Sequence, residues 1–176
     1  MAKAFISVGS NIEPAENIKA AIRLLGSKVR IKGISTVYLT EPIGMPEQEK
    51  YYNCVAEIET DVSPAELKDE ILRPIEDMLV RVRTEDRYAS RVIDLDLVLY
   101  DDLVLKTDEI TLPDPLILKR AFLARGLSEL APDLELPGAE MTAAQAASCI
   151  GTAGMVPMPE YSEELRKEIS HAAVEH

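Results

Sequence analysis

The chain has 176 residues, 47% of them hydrophobic and 28% charged, which is the balance of a folded globular protein rather than a disordered one. Its net charge of −12 argues against a general nucleic-acid binder, which needs a broad basic surface. No apolar run approaches a membrane span and the first residues lack a signal-peptide core, so a cytoplasmic location with no membrane contact is expected.

Cys54 and Cys149 are too few and too far apart for a disulfide scaffold or a zinc cluster, and both are read as reduced thiols. The two histidines, His171 and His176, lie in the last six residues. A Ser-His or Cys-His nucleophilic site, or a His-ligated metal, is therefore not expected. Chemistry must rest on carboxylates, arginines, hydroxyls and backbone.

In chain order, Ala4 to Val8 reads as a short strand, ending at a turn or cap cluster Gly9-Ser10-Asn11. From Pro14, the apolar positions Ile18, Ala21, Ile22 and Leu25 repeat at helical spacing, with Gly26 placed to stop the helix as its C′ residue. Val29 to Leu39 reads as a strand. The polar, proline-bearing stretch Thr40 to Lys50 is a long loop, and loops of that length usually have a function. Asn53 to Thr60 alternates, with Cys54, Ala56 and Ile58 on one parity, and is expected to be a half-buried strand.

Ser63-Pro64-Ala65-Glu66 carries a capping box and a proline at the first helical position. Leu67, Ile71, Ile75, Met78 and Leu79 then predict a helix to about Val80, bent or locally broken by Pro74. Ile93 to Tyr100 is the last clear strand. The order β-α-β-β-α-β predicts an α+β, ferredoxin-like core, an antiparallel sheet with two helices on one face. Two further helices are expected, near Lys119–Leu130 and Ser162–Ala173. A core domain of residues 1–137 and an extension of residues 138–176, either part of that domain or an appended tail, complete the expected organisation.

The segment from Arg81 to Arg91 holds four arginines and two acids, a local excess of positive charge in an acidic chain. Three residues on comes Asp94-Leu95-Asp96-Leu97. The period of two along a strand puts both aspartates on one face and both leucines on the other, with the aspartate Cα atoms roughly 6.6 Å apart. Either feature alone is also what a solvated surface shows. Together they supply what a Mg–nucleotide site needs: carboxylates for a hard cation, and guanidinium forks for phosphate oxygens. The chain has no Walker-type glycine loop and no protein-kinase motif set, so such a site would bind phosphate in another way.

Arg87-Tyr-Ala-Ser-Arg91-Val-Ile-Asp94-Leu-Asp96 resembles the signature of the 6-hydroxymethyl-7,8-dihydropterin pyrophosphokinase family. Gly9-Ser10-Asn11, Tyr38-x-Thr40-x-Pro42-x-Gly44, Tyr51-x-Asn53, Arg81-x-Arg83 and Pro113-x-Pro-x5-Arg120-x-Phe122 follow the same family in order and spacing, over roughly residues 4–137. The resemblance implies a ferredoxin-like core with long mobile loops. It implies pyrophosphoryl transfer from ATP to a reduced pterin, a step of folate biosynthesis, with two Mg²⁺ ions held by Asp94 and Asp96. It further implies catalytic or phosphate-contacting roles for Arg81, Arg91 and Arg120, with Arg83 and Arg87 closing over ATP. Glu76, Leu97 and Thr111 would complete the nucleotide site. Gly9, Thr40, Pro42, Ile43, Tyr51, Asn53, Tyr88 and Phe122 would form the pterin site. Two stretches depart from the family pattern: Tyr88-Ala89-Ser90 stands for Trp-Gly-Pro, and Asp114 stands for a histidine after Pro113. Those departures motivate an alternative, a non-catalytic module that holds nucleotide or pterin.

Overall fold

The structure, a computed structural model, describes residues 1–41, 49–83 and 92–174. The chain builds β1 (Ala2–Ser10), α1 (Pro14–Gly26), β2 (Arg30–Ile34), β3 (Tyr38–Thr40), β4 (Tyr51–Thr60), α2 (Pro64–Glu66), α3 (Arg73–Arg83) and β5 (Asp94–Tyr100). The hairpin β6 (Leu105–Lys106) and β7 (Thr111–Leu112) follows. After it come α4 (Ala121–Leu130), β8 (Glu135–Leu136), β9 (Met141–Thr142), α5 (Ala143–Ile150), β10 (Met155–Pro157) and α6 (Pro159–Val174).

One antiparallel sheet organises the molecule, in the order β10-β3-β4-β1-β5, with β2 pairing on the same β4 strand as β3. Strands β5, β1, β4 and the β2–β3 pair reproduce the expected ferredoxin-like order. β1 and β4 pair over their whole lengths, from Ala2 opposite Thr60 to Ser10 opposite Tyr52.

The two helices of that core, α1 and α3, lie on one face as expected, and later helices cover the other. On the first face, Ala4, Ile6 and Val8 of β1 and Cys54, Ala56 and Ile58 of β4 pack against Ile18, Ile22 and Leu25 of α1, Ile75 and Leu79 of α3, and Leu165 of α6. On the second, Phe5, Val55, Val98 and Leu99 pack beneath Leu123, Ala124 and Leu127 of α4 and Ala143, Ala146 and Ala147 of α5. The expectation that β4 is half buried fails at Val55, which is fully buried because α4 crosses it. The crossing is close: a Cβ on Gly126 of α4 would lie 2.6 Å from Val55 Cγ2.

Three local expectations need correction, and a fourth, at Pro74, takes a particular form. The strand expected over Val29–Leu39 is interrupted at Ser35–Val37. There the Ser35 hydroxyl accepts from Val55 N–H at 2.9 Å, so a side chain replaces one rung of the ladder. Gly26 does not sit beyond α1 as a left-handed stop; it is the last helical residue and is buried, and Ser27 caps the helix in a right-handed conformation. Gly9 and Ser10 belong to β1, and α1 is instead entered through Glu13 at φ 39. Ahead of Pro74 the local break takes the form of a change in helical pitch rather than a gap. A π-helical turn over Leu67–Leu72 lets Arg73 N–H reach Lys68 O, which absorbs the missing proline donor. At the start of that helix the Ser63 hydroxyl accepts from Glu66 N–H at 3.2 Å, the Ser63 half of the expected cap.

α4 and α6 match the two later helices expected. α5 was not foreseen, although Thr142 and Gln145 close a reciprocal capping box on it. Among the described residues no helix is long and apolar enough to cross a membrane.

Candidate active site

The second sheet face changes character along the strands. At one end it is charged, where Glu57 meets Lys3 at 3.4 Å and Glu59 lies 3.7 Å from Arg30 and from Lys32. The middle is the apolar core under α4 and α5. Beyond their cover, the same parity of each strand presents polar groups to a cleft of about 640 Å³. Strand periodicity alone produces this: Phe5, Ser7 and Gly9 share a face of β1, as do Val55, Asn53 and Tyr51 of β4.

Register then assembles a row across four strands. Tyr38 lies opposite Asn53, Asn53 opposite Gly9, and Gly9 opposite Asp94. One step inward Ser7 lies opposite Asp96, and one step outward Thr40 lies opposite Tyr51. Ser7, Gly9, Thr40, Tyr51, Asn53, Asp94 and Asp96 all line the cleft, closed on its other side by Asp114, Lys119, Arg120 and Phe122. Asp94 is partly exposed and Asp96 exposed, while Leu95 and Leu97 are buried on the opposite face. The two aspartates therefore open on the same cavity that Arg120 lines.

Several side chains in this wall are held in place. Asn53 is mostly buried and donates from Nδ2 to Thr40 Oγ1 at 2.7 Å. Next to it in the row, the Tyr38 hydroxyl donates to Glu129, and burial first, then that carboxylate, pushes its pKa well above the ordinary phenol range. It stays a donor at any physiological pH. Beneath the cleft, burial raises the Cys54 thiol to about 12, which makes it an inert core residue rather than a nucleophile. Ser10 ties the start of β5 to β1, donating to Val92 O at 2.6 Å.

Asp114 bears on the departure from the family pattern. Its carboxylate caps the 3-10 turn Pro115–Leu118, accepting from Leu116 N–H at 2.9 Å. Phe122 does two things at once: it packs in the second core and also lines the cleft.

Three residues expected at the nucleotide are not brought to the cleft wall. Leu97 lies in the core on the opposite face. Thr111 is exposed on the β6–β7 hairpin. Glu76 is buried under β5, where its carboxylate accepts from Leu95 N–H at 3.5 Å, between the two aspartates in sequence. Arg81 and Arg83 end α3. Pro42, Ile43, Arg87, Tyr88 and Arg91 lie outside the described residues. Lining residues that the sequence reasoning did not single out are Ser7, Glu41, Lys119 and the segment Ala153–Met155. The parity of β1 could have pointed to Ser7, whereas Met155 reaches the cleft only through pairing with β3.

Among the described residues no group of three or more His, Cys, Asp or Glu is arranged to hold a metal. Two carboxylates on one strand face do fit a hard cation that keeps water or phosphate oxygens in its remaining positions.

Residues 5–132 match the family model for 7,8-dihydro-6-hydroxymethylpterin-pyrophosphokinase (HPPK). The chain belongs to the HPPK family. It is 36% identical over 144 residues to a Haemophilus influenzae protein named 2-amino-4-hydroxy-6-hydroxymethyldihydropteridine pyrophosphokinase, covering 80% of this chain and 89% of that one. A Pseudomonas aeruginosa protein of the same name is 34% identical over 138 residues, covering 77% of this chain and 84% of the relative. Among solved structures, the fold resembles that of Plasmodium falciparum HPPK-DHPS, with a TM-score of 0.68 and 12% identity over 84% of this chain. The chain spans 45% of that longer protein, and the likeness bears on fold alone.

Proposed function

We propose that this HPPK-family chain transfers the pyrophosphoryl group of ATP to the hydroxymethyl group of 6-hydroxymethyl-7,8-dihydropterin, releasing AMP in a step of folate biosynthesis in the cytoplasm. The observation that carries the reading is the opening of Asp94 and Asp96 onto the same cleft as Arg120, Asn53 and Phe122. Asp94 and Asp96 would hold the Mg²⁺, two ions on the family resemblance, which would supply neutralisation of the triphosphate charge.

The chain's own residues align and desolvate. Arg120 takes phosphate oxygens bidentately, with Arg81 and Arg91 in the same role and Arg83 and Arg87 closing over the nucleotide. Glu76 fixes the strand between the aspartates rather than touching ATP, and Leu97, in the core on the opposite face, and Thr111, on the β6–β7 hairpin, take no part in the nucleotide site. The pterin lies over the Gly9 floor. Asn53 and the Thr40 backbone read its hydrogen-bonding edge, and Tyr51, Phe122 and Tyr88 bound its ring, with Pro42 and Ile43 completing the wall. So placed, the pterin hydroxyl attacks the β-phosphorus in line, and catalysis is alignment plus charge stabilisation.

The module reading is motivated by Asp114 as a charge toward the phosphates and by Tyr88-Ala89-Ser90, which lie outside the described residues. The bond from Leu116 N–H gives Asp114 a structural role as a turn cap, while its charge still borders the cleft, so the assay decides between the two readings. The test is AMP formation from Mg-ATP with and without the dihydropterin. Dihydropterin-dependent AMP is expected, with turnover reduced at least a hundredfold in Asp94→Ala and in Asp96→Ala, on the order of losing one stabilising contact on transferring phosphate. Tight ATP binding with no AMP, or full turnover in both variants, would refute the reading.

A further inference from the structure

The cleft has a wall that belongs neither to the matched family segment nor to the helices. Residues 153–155 line it, although the family match ends at residue 132. They arrive there because β10 adds to the free side of β3, with Met155 directly opposite Thr40. Thr40 in turn lies opposite Tyr51, so Met155, Thr40 and Tyr51 form one cross-strand row at the outer end of the sheet. Side chains directly opposite in an antiparallel pair stand on the same face, about 5 Å apart at Cβ. Met155 is partly buried, packs beside the second core, and contributes to the cleft at the end away from Asp96.

The two ends of the cleft differ in chemistry. Asp94, Asp96, Lys119 and Arg120 make one end ionic, suited to metal and phosphate. Thr40, Tyr51, Asn53 and Met155 line the other end, where Glu41 is paired with Lys50 at 3.2 Å, so that wall is near neutral overall and suited to a flat heterocycle with a hydrogen-bonding edge. A thioether on an unbranched side chain is polarizable and adaptable, and it packs favourably against aromatic rings. Its neighbours Ala153 and Gly154 have little side chain of their own, which leaves Met155 as the bulky group of that wall.

We propose that Met155 is a specificity-determining residue for the acceptor, packing its thioether against the pterin ring. The proposal rests on the pterin-kinase reading above. Its position at the neutral end means that it acts on the acceptor and leaves the nucleotide untouched.

The experiment measures 6-hydroxymethyl-7,8-dihydropterin binding by fluorescence, together with KM for dihydropterin and for ATP, in the wild type, Met155→Ala and Met155→Leu. Met155→Ala should weaken dihydropterin binding about three- to tenfold, the range of a lost thioether–ring contact, with KM for ATP unchanged. Met155→Leu, of similar volume but without sulfur, should recover only the apolar-packing part of the loss, and KM for ATP should stay unchanged in both variants, which a general disturbance of the β10–β3 pairing would not permit. Unchanged dihydropterin affinity in Met155→Ala overturns the proposal, and so does an equal rise in both KM values. Because the binding arm needs no turnover, a chain that binds dihydropterin through Met155 but makes no AMP would sink the catalytic reading and leave this one standing.

Discussion

Gly9 sits between Asn53 on one side and Asp94 on the other, and its lack of a side chain is used. A Cβ at this position would lie 2.4 Å from Asn53 Oδ1, so the Asn53 amide lies over the glycine and reaches Thr40 from there. The clashing atom is the end of a side chain, which can move, so Gly9→Ala should fold. It should do so with Asn53 turned out of place. The expected result is a several-fold rise in KM for the dihydropterin, about the worth of one hydrogen bond, with KM for ATP little changed. An unaltered pterin KM would show that Asn53 is not the group that reads the acceptor. At this scale the acidic pair was the most legible feature, because a strand's period of two follows from covalent geometry and needs no partner. The reason for Gly9 was not legible, since it depends on which residue of a distant strand comes to lie beside it. Asp114 illustrates the same limit: its residue type reports a charge at the cleft, and only the turn shows that it also caps Leu116 N–H.

At the scale of elements, the strands and the first helices follow from periodicity, and the departures come where packing intervenes. The Val29–Leu39 segment pairs along β4 as expected but breaks where the Ser35 hydroxyl takes the place of a backbone acceptor. α5 is alanine-rich and carries no strong apolar stripe of its own; its buried side is small because it nests against α4. α4 shows how tight that layer is. Gly126 brings the helix down on Val55 and Ser35, with a notional Cβ at 2.6 Å from one and 3.1 Å from the other. In an exposed helix, alanine in place of glycine gains about 1 kcal/mol. Here Val55 is a β-branched residue in a central strand with no room to yield, so overpacking should outweigh propensity. Gly126→Ala is expected to lower unfolding free energy by about 1–2 kcal/mol, read as a reduced urea midpoint at constant m-value. A stabilised variant would mean that α4 can lift from the sheet.

For the whole molecule, the extension beyond residue 137 is woven into both layers. It places Ala143, Ala146 and Ala147 in the second core and Leu165 in the first. Ser162 Oγ accepts from Val37 N–H at 2.8 Å, Arg166 Nε donates to Ile34 O at 3.1 Å, and Glu168 pairs with Arg23 at 2.6 Å. Val55 shares its strand parity with Glu57 and Glu59, so that face reads as solvent-facing in the sequence, and no local pattern says which distant helix covers it. One consequence concerns pH. Cys54 in the first core is raised to about 12, chiefly by burial, and burial likewise raises Tyr38 in the second core and Tyr161 on α6. Each is an acid that is neutral when folded. Above its unfolded pKa, near 8.5 for a thiol and 10 for a phenol, the unfolded chain releases a proton that the folded chain retains. The native state then binds more protons than the unfolded one, so stability is fully present below about pH 8.5 and falls as pH rises through the interval up to the folded values. For Cys54 alone the slope is about 1.4 kcal/mol per pH unit once the unfolded thiol has ionised, steepening when the tyrosines join near pH 10. Urea titrations at pH 7.5, 9 and 10.5 should therefore show a falling midpoint. Cys54→Ala should flatten the fall between pH 9 and 10 while leaving the part above pH 10 in place. A wild-type midpoint that holds steady to pH 10.5 would mean that these groups meet solvent in the folded protein, and that the cores are looser than the packing indicates.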